Sequence, residues 1–331
     1  MTIWNLIASL FLASLQTSLM LAQGRHFVTN DRLSLGTEVF RSASVRLGDI
    51  DGDRDLDIVV ANGRHWPQQD YLFINQGGAK FSVMRPLGTD RTTTYACELA
   101  DLDGDGDVDI LATSRGRQNR IYLNDGKATF SKGPAFGTQG DSTIDVAVAD
   151  INHDGHRDLI LANRDGQQNY LLLNNGKFEF TERRLYGTGK DQTRAVAVAD
   201  LNGDGNLDWV TGNIGLPNCV YLGDGVGNVL KAIPFGQADR QTYSIAIADM
   251  DNDGELDIVV GHVSNQNSVF FNLGDGTSFQ EETFGPKTSA TYGLCVGDLN
   301  GDSFADIAVA NSDDLNYVYL NQPRTNPSGT K

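Results

Sequence analysis

Large apolar residues fall two apart in short runs that end in clusters of Asp, Asn and Gly. Val45 and Leu47, Val146 and Val148, Val196 and Val198, and Ile245 and Ile247 each stand just before such a cluster. A period of two predicts a strand with one buried face. A second apolar run follows each cluster, as at 58–61 and 258–261. A third recurs at 71–75, 121–124, 170–174 and 317–321, and a glycine turn then leads to a fourth marked by Phe81, Phe130 or Phe178 and Phe180. The unit is therefore four strands, A to D, with the polar cluster between A and B.

The clusters begin at Asp49, Asp101, Asp150, Asp200, Asp249 and Asp298, a period near 50 residues. Such a period marks an array of supersecondary units. The sixth unit stops after strand C, while residues 27–37 near the N-terminus read as a strand D with no A to C before it. Two complementary halves predict ring closure, which leaves only short, protected edges. An open solenoid would instead carry polar caps. The expected fold is all-β: a six-bladed propeller of four-stranded blades over 23–323, the N-terminal strand completing the last blade.

Each A–B cluster is a nine-residue loop in which nearly every alternate position is an acidic or amide side chain. The first holds Asp49, Asp51, Asp53, Asp55 and Asp57, and the second Asp101, Asp103, Asp105, Asp107 and Asp109. The third holds Asp150, Asn152, Asp154, His156 and Asp158, and the fourth Asp200, Asn202, Asp204, Asn206 and Asp208. The fifth holds Asp249, Asp251, Asp253, Glu255 and Asp257, and the sixth Asp298, Asn300, Asp302, Phe304 and Asp306. Asp and Gly are ordinary turn residues, but so many carboxylates in one short loop repel each other unless a cation lies among them. Calcium takes six to eight oxygens, and side chains at positions 1, 3, 5 and 9 with a backbone carbonyl near 7 would supply them. Up to six calcium ions are expected, most tightly in loops 101–109 and 249–257.

The repeats resemble the FG-GAP/VCBS family, whose propellers occur in integrin α-subunits and in many bacterial exported proteins. The resemblance rests on the six acidic loops, on the run 199–205, and on the pairs Phe136-Gly137, Phe235-Gly236 and Phe284-Gly285. It spans about 26–321. The family's glycine at position 6 stands as Gly106, Gly155, Gly205 and Gly254, but Arg54 and Ser303 replace it in the first and sixth loops. The resemblance implies a ligand face on the rim opposite the metal loops. Candidates there are Arg64, Trp66, Arg115, Arg117 and Arg164 in the B–C loops. Tyr95, Tyr243 and Tyr292 share a register six positions before their loops and are candidates for the axial mouth, though tyrosines so placed more often serve inter-blade packing. Arg46 and Glu98 interrupt a register of Ala and Cys in adjacent blades and predict a structural ion pair.

Composition adds limits. The chain has 331 residues and a net charge of −17, and the six loops hold 24 of its 43 acidic residues, 23 Asp and Glu255. That excludes a nucleic-acid interface, which needs a basic footprint. The apolar run at 3–15 resembles the core of a secretory signal ending near Ala22 and is too short for a membrane span. Export to a secreted, periplasmic or cell-surface location is expected, followed by the ring and a polar tail, 324–331. Cys97, Cys219 and Cys295 lack zinc-site spacing and read as small buried hydrophobes. The five histidines (26, 65, 153, 156 and 262) form no metallohydrolase pair, and no nucleophile elbow or nucleotide loop is present. A non-enzymatic binding or adhesion module for a glycan or extracellular protein is the leading expectation. A propeller-based polysaccharide lyase or hydrolase is the alternative, since a carboxylate pair drawn from two blades leaves no local motif.

Overall fold

The structure is a computed structural model and describes residues 25–323, apart from 31–32, 64–65, 89–90, 92, 116–117, 138–139, 176–179, 181 and 288–289. The expected signal sequence, the tail, Arg64, His65, Arg117 and Phe178 lie outside the described residues. Blade one comprises strands Ser42–Gly48, Asp57–Asn62, Tyr71–Ile74 and Val83–Pro86. Blade two comprises Ala96–Ala100, Asp109–Thr113, Asn119–Asn124 and Phe130–Phe136. Thr143–Ala149, Asp158–Asn163, Asn169–Leu173 and Glu182–Tyr186 form blade three. Thr193–Ala199, Asp208–Asn213, Asn218–Gly223 and Val229–Phe235 form blade four. Blade five runs Gln241–Ala248, Asp257–Val263, Asn267–Asn272 and Phe279–Phe284. Blade six takes Thr291–Gly297, Asp306–Asn311 and Tyr317–Pro323 from the C-terminal end and Arg25–Val28 from the N-terminal end.

Every blade is an antiparallel meander, and the propeller expected from the repeats is the fold observed. Arg25–Val28 pairs with the last strand, Phe27 opposite Asn321 and Val28 opposite Leu320. The core does not sit within blades but between them. Ile58, Val60 and Phe73 of blade one pack with Cys295, Ala308 and Val318 of blade six, and equivalent clusters occupy the five other junctions. Trp209, with Tyr186 and Tyr221 edge-on or stacked against it, fills the junction of blades three and four. At the ring's seam, strand A of blade six approaches blade one so closely that a Cβ on Gly293 would lie 2.5 Å from Ser44 Cα. Only glycine fits there.

In five blades strand A shifts register near its start, between Ser42 and Ser44 or their counterparts. A bulge re-aims the side chain it carries. The residues at this place, together with Tyr95, converge on the propeller axis.

Candidate metal loops and the opposite rim

All six A–B loops are wound in one way. The position 1 carboxylate accepts backbone N–H bonds across the loop, as Asp49 does from Gly52 at 2.8 Å and Arg54 at 3.0 Å. The position 5 carboxylate accepts the N–H of position 7, as in Asp105 from Asp107 and Asp253 from Glu255, both at 2.9 Å. Position 6 has a left-handed backbone, which favours glycine. Arg54 at φ 75° and Ser303 at φ 69° adopt it nonetheless, so the first and sixth loops keep the winding without glycine.

Position 9 is fully buried in every copy. Asp257 accepts the N–H of Met250 and the N–H of Asn272, both at 2.8 Å. Asp306 does the same with Leu299 and Asn321, and Asp57 with Ile50 and Asn75. This residue therefore pins its loop to strand C, a role the sequence pattern does not reveal. The adjoining Asn carries the link to the neighbouring blade: Asn124 donates to Ile50 O at 3.0 Å, Asn272 to Leu201 O at 2.9 Å and Asn321 to Met250 O at 2.8 Å. Each of those carbonyls belongs to the metal loop of the preceding blade.

Among the described residues, three loops bring carboxylate oxygens within 4.8 Å of one another: Asp49, Asp51 and Asp53; Asp101, Asp103 and Asp109; Asp249, Asp251 and Asp257. The second and fifth are those ranked tightest from sequence, and the first joins them despite Arg54. Loops three, four and six have Asn152, Asn202 and Asn300 at position 3, and the first two amides donate to Asp154 and Asp204. Position 7 side chains lie beside the C–D turn: a Cβ on Gly126 would be 2.6 Å from Asp107 Oδ1, and one on Gly274 3.8 Å from Glu255 Oε1. The same position holds Asp55, His156, Asn206 and Phe304, so only its carbonyl is common to all six loops.

The donor set fits a hard cation. Asp51 Oδ1 and Asp251 Oδ1 are buried without a hydrogen-bond partner, and Asp251 is only 5% exposed. A buried, unpartnered carboxylate oxygen is costly unless something positive meets it. Burial, then the neighbouring Asp253 and Asp249, push the Asp251 carboxyl up to about 6. Burial pushes Asp257 up to about 7 and Asp57 and Asp306 to about 6, against the N–H bonds that favour their charged form. Asp109, Asp158 and Asp208 rise for the same first reason.

On the opposite rim Trp66 is 65% exposed, so it does not fold back on its blade. Arg115 pairs with Asp165 of blade three at 2.6 Å, and Arg164 lies 3.6 Å from the same carboxylate. Arg115 thus ties blade two to blade three, whereas Arg164 and Asp165 share one loop. Tyr95, Tyr243 and Tyr292 line the axial mouth with Arg194, Ile144 and Ala43. Tyr243 meets Tyr292 edge-on at 4.5 Å, and the Arg194 guanidinium covers the Tyr243 ring. The free space there is about 20 Å³, room for roughly one water and not for a sugar ring. Below the mouth, Arg46 bonds Glu98 at 2.6 Å, the expected pair, and also Asp145 at 3.3 Å. Asp145 was not singled out from sequence; a mismatch with Ser44, Ala96, Ala195, Ser244 and Gly293 in its register is the signal that marks it. His262 is buried in strand B of blade five, and burial takes its imidazole down to about 4. Cys97 and Cys295 are buried as expected, but Cys219 is only half-buried and lines a groove between blades three and four.

A six-bladed ring with an acidic loop in every A–B connection defines the class. A family profile described as FG-GAP-like repeat matches residues 49–112, 101–161, 150–211 and 249–309. The chain belongs to that family. No curated protein sequence matches it. Among solved structures it is similar to BBS1N, crystallised in complex with ARL6DN, at 12% identity and a TM-score of 0.52, covering 90% of this chain and 97% of that one. It is also similar to the V. cholerae biofilm matrix protein Bap1, at 20% identity and a TM-score of 0.41, covering 78% of this chain and 43% of that one. No helix among the described residues is long and apolar enough to cross a membrane.

Proposed function

We propose that this chain is an exported, calcium-binding propeller that holds a glycan or an extracellular protein on the rim opposite its metal loops, without turning it over. The observation that carries the reading is Asp251 Oδ1, buried beside Asp249 and Asp257 with no partner. Calcium, when bound, supplies the positive charge that allows these carboxylates to share one loop. The side chains at positions 1, 3, 5 and 9 would hold it in the first, second and fifth loops, with Asn replacing Asp at position 3 in the others. The chain's own part is orientation. Position 1 winds the loop, position 9 anchors it to strand C, and Asn124, Asn272 and Asn321 tie it to the preceding blade. A loop so held stiffens the ring and fixes the rim beyond it.

Trp66 supports the placement of the ligand, because an exposed indole is the platform a sugar ring or an apolar partner residue stacks on. Binding measured against arrays of glycans and extracellular proteins, in calcium and in chelator, tests this. Trp66→Ala is expected to weaken the retained ligand by about tenfold or more, the loss typical of a central interface aromatic. Retention indifferent to Trp66, or release of cleaved sugar from a polysaccharide on the array, would contradict it.

A further inference from the structure

Where a D–A loop enters a blade, the residue nine positions before the first loop aspartate faces a fixed place on that blade's strand D. In strand pairing that place lies opposite Phe73, Leu172, Tyr221 or Phe270 and holds Met84, Arg183, Ala232 or Glu281. Blade three fills it with opposite charges: Arg183 donates to Asp141 at 2.9 Å, its guanidinium 4.5 Å from the centre of the Tyr170 ring. Blade five reverses the signs, pairing Arg240 with Glu281, and Ser268 bonds to both. Blade one is apolar, with Phe40 against Tyr71 at 5.4 Å and Met84 at the strand D place.

Blade four has only half a pair. Asp191 occupies the loop position, and Ala232 stands where blade three has its arginine. Among the described residues no cation forms an ion pair with Asp191; its oxygens accept the N–H and the hydroxyl of Thr188, each at 2.7 Å. The missing side chain leaves a groove of about 480 Å³ between blades three and four, walled by Leu185, Leu216, Cys219, Tyr221, Val229 and Ala232. Asp191 and the Tyr221 hydroxyl close one end: a Cβ on Gly187 would lie 2.8 Å from Asp191 Oδ2 and 3.6 Å from Tyr221 Oη. An apolar trench ending in a carboxylate and a hydroxyl matches a guanidinium on an aliphatic stem.

We propose that this groove takes the arginine side chain of a protein partner, its guanidinium on Asp191 and its methylenes along Tyr221 and Ala232, in the place Arg183 fills one blade earlier. Exposed aliphatics choose a polypeptide over a free guanidinium. Leu185 (67% exposed) and Leu230 (68%) flank the groove with Leu216 and Val229, and residues on either side of a partner's arginine would cover them. The net charge of −17 favours a cationic segment as well. The inference rests on the reading of the chain as a binding module and names one of its sites.

The test uses the whole chain and a fluorescent, end-capped peptide, Ala-Leu-Arg-Leu-Ala, with its citrulline counterpart and free agmatine as controls. The native chain is expected to bind the arginine peptide at least tenfold more tightly than the citrulline peptide or agmatine. Ala232→Arg, which supplies the missing half from within, is expected to abolish binding while melting no lower than the native chain. Asp191→Asn is expected to weaken binding tenfold or more, and it stands as the second variant if Ala232→Arg does not fold. Equal binding of arginine and citrulline peptides, or full binding by either variant, overturns the proposal. Agmatine binding as tightly as the peptide overturns the protein partner. A native chain that ignores the peptide yet loses its array ligand on Trp66→Ala overturns the groove and leaves the binding module standing.

Discussion

Asp251 and Asp257 lie six residues apart in one loop, and their surroundings assign them different tasks. Asp257 satisfies two buried N–H groups whatever else is bound. Asp257→Ala should therefore cost roughly 2–6 kcal/mol in chelator, about 1–3 for each donor left unpaired, and more in calcium, where a metal-facing carboxylate is lost as well. Asp251 satisfies nothing within the chain through Oδ1. Asp251→Ala should leave the melting curve in chelator unchanged or slightly raised, and remove only the gain that calcium brings; scanning calorimetry of both variants in both buffers separates the two cases.

The same carboxylates set a pH dependence whose sign differs between the metal-free and loaded protein. Folding raises Asp57, Asp251 and Asp306 to about 6 and Asp257 to about 7, from near 3.8. A group raised on folding contributes stability that is full below its unfolded pKa and is lost as pH rises through the folded value. The metal-free protein should thus gain stability on acidification from pH 7 toward 4. Calcium must displace those protons, so its affinity should fall over the same range; melting curves of the metal-free protein and calcium titration calorimetry, each at pH 7 and pH 5, read the two trends. The alternate acidic positions were legible in the sequence because they recur six times. The anchoring task of position 9 was not, because one of its donors arrives from a strand 15 or more residues later.

At the scale of the strand, period-two alternation was enough to place A and short apolar runs to place B and C, whose large residues face the neighbouring blades. The bulge in strand A was less legible. It has no local motif, yet it turns Ala43, Ile144, Arg194, Tyr243 and Tyr292 onto the axis. The tyrosine register was visible from spacing; the narrowness of the mouth follows from packing and was not. Nor could spacing show that Arg46, Glu98 and Asp145, from three blades, meet as one cluster. Arg46 is 13% exposed in its side chain and holds two carboxylates. Arg46→Ala should cost about 3–5 kcal/mol at pH 7, the penalty for leaving buried charge unpaired. Burial pushes Asp145 up to about 6, so it protonates by pH 5 and the same substitution should cost less there; denaturant melts at the two pH values measure the difference.

At the scale of the whole molecule, closure was the most legible feature, since a missing last strand and a spare first one can only be completed by each other. Strand Arg25–Val28 seals blade six, Gly293 lets blades six and one touch, and the six core clusters each bridge two blades. The loops join that ring through Asn124, Asn272 and Asn321, so cations held in them bear on inter-blade contacts and not on single hairpins. Ligand binding to the folded form alone stabilises by RT ln(1 + [L]/Kd), about 2.7 kcal/mol per site at a hundredfold excess. The most direct measurement is a metal count per chain by mass spectrometry, paired with melting curves in calcium and in chelator. The expected result is at least three calcium ions, one for each loop with three clustered carboxylates, and a melting temperature higher in calcium by on the order of 10 °C. A chain that retains no calcium and melts identically in both buffers would contradict the account.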